Sequence, residues 1–94
     1  MGIPLKDEEV DQSIAALEYW KRNGKTIERE YKFDDFLQAL RFVNRIAEVA
    51  EAANHHPNIH INYNRVMLEL TSHDSDGVTA RDIQLAGRIN KLKA

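Results

Sequence analysis

The 94-residue chain contains no cysteine. That excludes a disulfide framework, a thiolate nucleophile and a zinc–thiolate site. Long apolar runs are missing as well, and no stretch approaches the roughly 20 residues that span a bilayer. The opening Met1-Gly2-Ile3-Pro4-Leu5 runs straight into Asp7-Glu8-Glu9 with no apolar signal core. The expected location is therefore the cytoplasm, with no membrane partner. Nor is there an excess of charge of one sign: 13 basic and 15 acidic residues are mixed along the chain, for a formal net charge of −2. No Lys/Arg cluster offers a nucleic-acid footprint, so no nucleic-acid partner is expected.

What is present is ordinary for a globular protein, with 43% hydrophobic and 30% charged residues. The length allows one domain, spanning 1–94. A domain of this size buries only roughly 60–65% of its extended surface, so its core is thin. Oligomerisation is a common way to add buried area, and a homodimer or a dimer of dimers joined through free strand edges is expected.

The periodicity changes several times along the chain. Asp7 is a candidate N-cap, and Val10, Ile14 and Leu17 follow as one apolar stripe of a helix that should stop near Tyr19. Asn23-Gly24 is a hairpin signal. From Thr26 to Phe33 the pattern alternates, with Ile27, Tyr31 and Phe33 on one face. Arg29 interrupts that face, which places the strand at a sheet edge.

Asp34-Asp35 opens a second helix. Its wide apolar face comprises Phe36, Leu40, Val43, Ala47 and Ala50, broadened by Leu37, Phe42, Ile46, Val49 and Ala53. Pro57 bars its continuation, so it ends near Asn54. A second hairpin runs from about Ile59 to Thr71, turning near Asn64-Arg65. Thr79 and Asp82 then form a capping box, with Ile83, Ala86, Ile89 and Leu92 as the buried face of a last helix. The expected fold is α+β: a four-stranded antiparallel sheet with three helices on one face, in the order α-β-β-α-β-β-α.

The chemistry concentrates in one stretch. All four histidines, His55, His56, His60 and His73, lie between positions 55 and 73. A lone histidine is ordinarily structural or solvated. Here the hairpin folds the end of its second strand beside the start of its first, which brings His73 to His55 and His56. Imidazoles both give and take protons near neutral pH, so a cluster points to acid–base work. Pro57 holds His56 extended and stiffens the junction. Glu51 sits one helical turn before His55 and can reach an imidazole, while Asp82 is already accounted for by the capping box. His60 falls on the opposite, solvent-facing side of its strand. Tyr63 alternates with Ile59 and Ile61 and is expected to pack. Trp20 is core, a dimer contact or a pocket wall.

Metal binding is the rival reading, since three histidines can hold a zinc with water in the open position. Adjacent histidines diverge on a regular strand, however, which makes His55 and His56 awkward joint ligands. Ser72 and Ser75 lie near His73, but no nucleophile-elbow motif surrounds them.

The pattern Glu51-x3-His55-His56-Pro57-x5-Tyr63-x9-His73-x8-Asp82 resembles the signature of the pterin-4a-carbinolamine dehydratases. The resemblance covers the C-terminal half without a gap, and the length and element order of the rest are compatible. It implies dehydration of a 4a-hydroxy-tetrahydropterin to the quinonoid dihydropterin in pterin cofactor recycling, with a small-molecule pterin as substrate and neither metal nor other cofactor. By position, His55, His56 and His73 correspond to the histidines that hold the pterin and move its protons; the resemblance leaves the roles open, and His55 as base with His73 as acid is the assignment expected here. Ser72-His73-Asp74-Ser75 corresponds to the loop lining the pocket, Glu51 and Asp82 to supporting acids, and Pro57 to the proline of the motif. Animal members carry aromatic residues after that proline, where this chain has Asn58-Ile59-His60. Stacking on those aromatics is therefore absent or supplied elsewhere, with Trp20 a candidate. The alternative is a non-catalytic pterin- or protein-binding module of the same fold.

Overall fold

The longest helix begins directly behind an acid. In the computed structural model of the chain, which describes residues 3–93, the Asp35 carboxylate accepts a hydrogen bond from the Gln38 N–H at 2.8 Å. One free donor of the first turn is thereby met. This helix, α2, runs Phe36–Ala53 and stops at Asn54, whose left-handed backbone (φ 50°, ψ 41°) is one that asparagine tolerates better than most residues. The preceding helix, α1 (Asp7–Leu17), starts one residue earlier than expected, with Lys6 at the N-cap. Glu9 explains the shift, because its carboxylate reaches back to the Lys6 N–H at 2.9 Å. Asp7 becomes the first helical residue, where the helix dipole still favours it.

Strands β1 (Lys21–Asn23) and β2 (Thr26–Lys32) pair antiparallel with Asn23 opposite Thr26, so the turn falls on Gly24-Lys25. Gly24 takes the positive φ of 60° that this tight turn needs. Strands β3 (Asn58–Asn62) and β4 (Arg65–Leu70) turn at Tyr63-Asn64, one residue before the expected position. The last helix, α3, spans Ala80–Asn90. The sheet order is β1-β2-β4-β3, antiparallel throughout. The architecture is thus the expected α+β arrangement in the order α-β-β-α-β-β-α.

One face of the sheet carries Ile27, Tyr31, Val66, Leu68 and Leu70, all buried against Val10 and Ile14 of α1, Phe42 and Ile46 of α2, and Leu85 and Ile89 of α3. Trp20 joins this core at 5% exposure. On α3 the buried row is Asp82, Leu85, Ala86 and Ile89, while Ile83 and Leu92 are only partly covered. The helix is rotated from the expected face because its inward row begins with a charged residue, which hydrophobic periodicity passes over. The wide face of α2 is likewise only partly used, leaving Phe36 and Leu37 44% and 55% exposed.

Arg29 does not mark an edge. β2 lies inside the sheet, between β1 and β4. The guanidinium is accommodated on the helix-facing side, 4.0 Å from the centroid of the Tyr31 ring and 4.4 Å from that of Tyr19, and donates to Asn90 Oδ1 at 2.6 Å. Asn90 is a junction. Its carbonyl oxygen also accepts from Trp20 Nε1 at 2.8 Å, and its amide donates to the carbonyl oxygens of Leu17 at 2.8 Å and Glu18 at 3.3 Å. Those bonds hold the exit of α1, where Glu18 and Tyr19 both take positive φ (68° and 75°) and end the helix before Tyr19. Tyr63 does not pack as expected. It occupies the β3–β4 turn at φ 54° and is 61% exposed.

Replacing Asn90 with alanine strands the Trp20 and Arg29 donors and releases the Leu17 carbonyl. It is expected to lower the unfolding free energy by about 2–4 kcal/mol, measured as a lower urea midpoint at unchanged m-value. A second prediction concerns Tyr31. Its hydroxyl is buried with no hydrogen-bond partner among the described residues. Burial pushes the phenol from 10.0 up to about 12, against the opposing pull of the Arg29 guanidinium. The folded chain thus keeps this proton to higher pH than the unfolded chain, and stability falls as pH rises through that interval. Tyr31→Phe is expected to remove this alkaline loss and to stabilise the protein by up to about 1 kcal/mol near neutrality, read from melts at roughly pH 7 and pH 11.

Candidate active site

Two adjacent histidines follow the left-handed turn at Asn54 and point apart. The Asn54 N–H still reaches the Glu51 carbonyl at 3.1 Å, and the His55 N–H reaches Ala50 at 3.2 Å, so the chain reverses tightly before Pro57 leads into β3. His55 turns inward, with 11% of its side chain exposed, and its Nε2 lies 2.5 Å from Asp82 Oδ1. His56 turns outward, 57% exposed, with Nε2 2.5 Å from Glu51 Oε2. Glu51 therefore serves His56, not the histidine one turn after it, because the helix ends before His55 can join the same face.

The opposite wall comes from the exit of β4. Ser72 and Gly77 bridge, with the Ser72 N–H on the Gly77 carbonyl at 2.9 Å, and enclose a single 3-10 turn, His73–Ser75. The bridge points Ser72 inward and leaves His73 and Asp74 exposed. Asp82 sits behind this wall with no solvent exposure. Its Oδ2 accepts from the Thr79 N–H at 2.8 Å and from Ser72 Oγ at 2.9 Å. With that hydroxyl proton committed, the 2.8 Å contact between Thr79 Oγ1 and Ser72 Oγ is donated by Thr79. Thr79 Oγ1 in turn accepts from the Arg81 N–H at 3.3 Å. Asp82 thus caps α3 and orients His55 with the same carboxylate. The cap alone accounts for only part of the bonding of this residue.

A cleft of about 300 Å³ lies between the walls. His55 and His56 line one side, Ser72, His73 and Asp74 the other, with Asn54, Thr71 and Arg81 completing it. Of the residues nominated from sequence, Glu51 and Asp82 stand behind the two histidines they bond, while Pro57 and Ser75 do not line the cleft. His60 points to the open face of the sheet and pairs with Glu69 at 2.9 Å. Trp20, the candidate stacking platform, is in the core and contributes nothing to the lining. Among the described residues, no three His, Asp or Glu side chains group as metal ligands would.

Arg81 escaped the sequence reading. It donates to Asp74 Oδ1 at 2.6 Å, and that hydrogen bond holds the Asp74 carboxyl below the usual carboxylate range. The signal available was local. A cation in the first turn of a helix opposes the dipole, and a broken local rule often marks a site.

Asp82→Ala takes the acceptor from the Thr79 N–H and the Ser72 hydroxyl, removes the partner of the inward His55 nitrogen, and leaves only the Thr79 half of the capping box. The expected cost is about 3 kcal/mol in a urea titration, together with loss of a protected imidazole N–H signal for His55 in NMR spectra.

Among known proteins, residues 3–92 match the family described as Pterin 4 alpha carbinolamine dehydratase. A Koribacter versatilis (strain Ellin345) protein, provisionally named a pterin-4-alpha-carbinolamine dehydratase, is 54% identical over 92 residues and 98% of each chain. A similarly named Picosynechococcus protein is 41% identical over 98% of this chain and 100% of its own. The crystal structure of a transcriptional coactivator/pterin dehydratase from Brucella melitensis superposes with a TM-score of 0.86 at 36% identity, covering 93% of this chain and 95% of that one. A pterin dehydratase-like protein described as a RuBisCO assembly factor in the alpha-carboxysome shares the fold, with a TM-score of 0.66 at 21% identity over 78% of this chain and 87% of its own. With residues 3–92 matched by the family and 98% of the chain matched by the Koribacter and Picosynechococcus proteins, the chain belongs to the pterin 4 alpha carbinolamine dehydratases.

Proposed function

We propose that the chain dehydrates a 4a-hydroxy-tetrahydropterin to the quinonoid dihydropterin and water by histidine acid–base catalysis. The observation that carries this reading is the His55 ring. Its Nε2 is tied to a fully buried carboxylate, in a cleft that also presents His56 and His73.

Asp82 takes the Nε2 proton as a hydrogen bond, which fixes the tautomer and leaves Nδ1 as the basic nitrogen. In this reading His55 Nδ1 accepts the proton from the pterin ring nitrogen. His73, exposed at the opposite wall, delivers a proton to the 4a-hydroxyl as the carbon–oxygen bond breaks. One proton enters at oxygen and one leaves at nitrogen, so the protein ends with the charge it began with and solvent exchange restores both histidines. Each contribution is typically worth about 10²–10⁴-fold. No Phe, Tyr or Trp lines the cleft, so the flat pteridine is held between imidazole rings and the Arg81 guanidinium plane.

The alternative is a non-catalytic pterin- or protein-binding module, the kind of role that the descriptions of the two structural relatives include. A single assay separates the two. Dehydration of synthetic carbinolamine is expected to be accelerated by the protein and unaffected by chelator, and to fall by about 10²–10⁴-fold in His55→Ala and in His73→Ala. Full activity in both variants sinks the assignment. Pterin binding without acceleration selects the binding module.

A further inference from the structure

The cleft described above has a neighbour. A second hollow of about 210 Å³ lies between the last turn of α2 and the outer face of α3, and it shares His55 and Arg81 with the first. Ala52, Ala53 and Leu85 form its apolar floor, and Gln84 and Arg88 join Arg81 as its polar groups. Arg81, Gln84, Leu85 and Arg88 follow at i, i+3, i+4 and i+7, so one stripe of α3 faces it. No carboxylate lines it. Asp74, the acid lining the first cleft, engages one terminal nitrogen of Arg81, and a guanidinium has further N–H donors to offer. Arg88 makes no hydrogen bond or ion pair through its side chain among the described residues. Other arginines are occupied: Arg22 by Asp11, Arg29 by Asn90, Arg45 by the Lys93 carbonyl.

Pteridine geometry gives this hollow a use. Position C6 is two bonds from the reacting C4a, so a substituent at C6 leaves the ring beside the reacting atom. With C4a at His55, a C6 substituent would leave the ring close to the residues, His55 and Arg81, at which the second hollow adjoins the first. Two cationic forks and an amide around an apolar floor match a short carbon chain ending in an anion.

Resting on the dehydratase reading, we infer that the hollow behind His55 is a side-chain subsite through which Arg81 and Arg88 select pterins carrying a carboxylate or phosphate on the C6 substituent. Arg88 lines this hollow and another against α1 but not the reacting cleft, whereas Arg81 borders the cleft as well, so Arg88 is the residue that separates the two functions.

The test measures equilibrium binding of 6-carboxypterin, 6-(phosphooxymethyl)pterin and the neutral 6-hydroxymethylpterin to the full chain, beside turnover of a neutral carbinolamine. At low salt at least one anionic pterin is expected to bind about five- to tenfold tighter than the neutral one, a modest factor because Arg88 is open to solvent. The stronger of the two identifies the source of the charge. That preference is expected to shrink at high salt, to vanish in Arg88→Gln with neutral binding unchanged, and to survive in part in Arg88→Lys. Equal binding of all three pterins, or a preference that Arg88→Gln leaves intact, overturns the subsite. If the neutral carbinolamine is still turned over in that case, the dehydratase reading stands. Absence of both pterin binding and turnover overturns both.

Discussion

A carboxylate removed from water has to be met by donors, because an ionised group in an apolar interior is otherwise too costly to keep. Asp82 has no solvent exposure, and three groups meet it: the Thr79 N–H and the Ser72 hydroxyl donate to one oxygen, and the His55 ring nitrogen lies against the other. These come from three separate segments, namely the start of α3, the exit of β4 and the junction of α2 with β3. One side chain therefore fastens together the end of the sheet at which the cleft opens. Folding and ring orientation depend on the same bonds, so the imidazole cannot drift without loosening the helix cap. That is the preorganisation the proposed proton transfer would need, obtained from groups the fold requires anyway.

Helix α3 is anchored at its far end by a neutral counterpart. Asn90 joins Trp20, Arg29 and the last carbonyls of α1 through one amide. Between the two polar anchors, Leu85, Ala86 and Ile89 press on the core. Such a helix is a strut with its rotation fixed at both ends, and the rotation decides which residues look outward. Arg81, Gln84 and Arg88 face the hollows as a consequence of where Asp82 and Asn90 must point inward.

Legibility varied with the range of the interaction. The Asp35 cap, the Thr79–Asp82 box and the end of α2 at Asn54 were readable because a helix end is settled by residues within one turn of each other. The meeting of His55, His56 and His73 at one cleft followed from hairpin connectivity, itself a short-range pattern. Arg29 misled because a charged residue on an apolar face looks like a solvent-facing edge. Its partners, Tyr19 and Asn90, are supplied by a linker and by the last helix. Leu85 was passed over for the same kind of reason, since the row it belongs to starts with an acid.

The sequence by itself determined the element order, the caps and the presence of an imidazole cluster beside a chain reversal, all of which depend on neighbours close along the chain. It also carried the motif by which the family is read. Only the tertiary structure decided that Asp82 holds His55 while Glu51 holds His56, because that choice turns on the left-handed residue Asn54 and on a carboxylate 27 positions away. The two roles of Asp82 are invisible along the chain for a physical reason. A capping carboxylate has two oxygens: the cap uses one, and three-dimensional packing alone decides what the other meets.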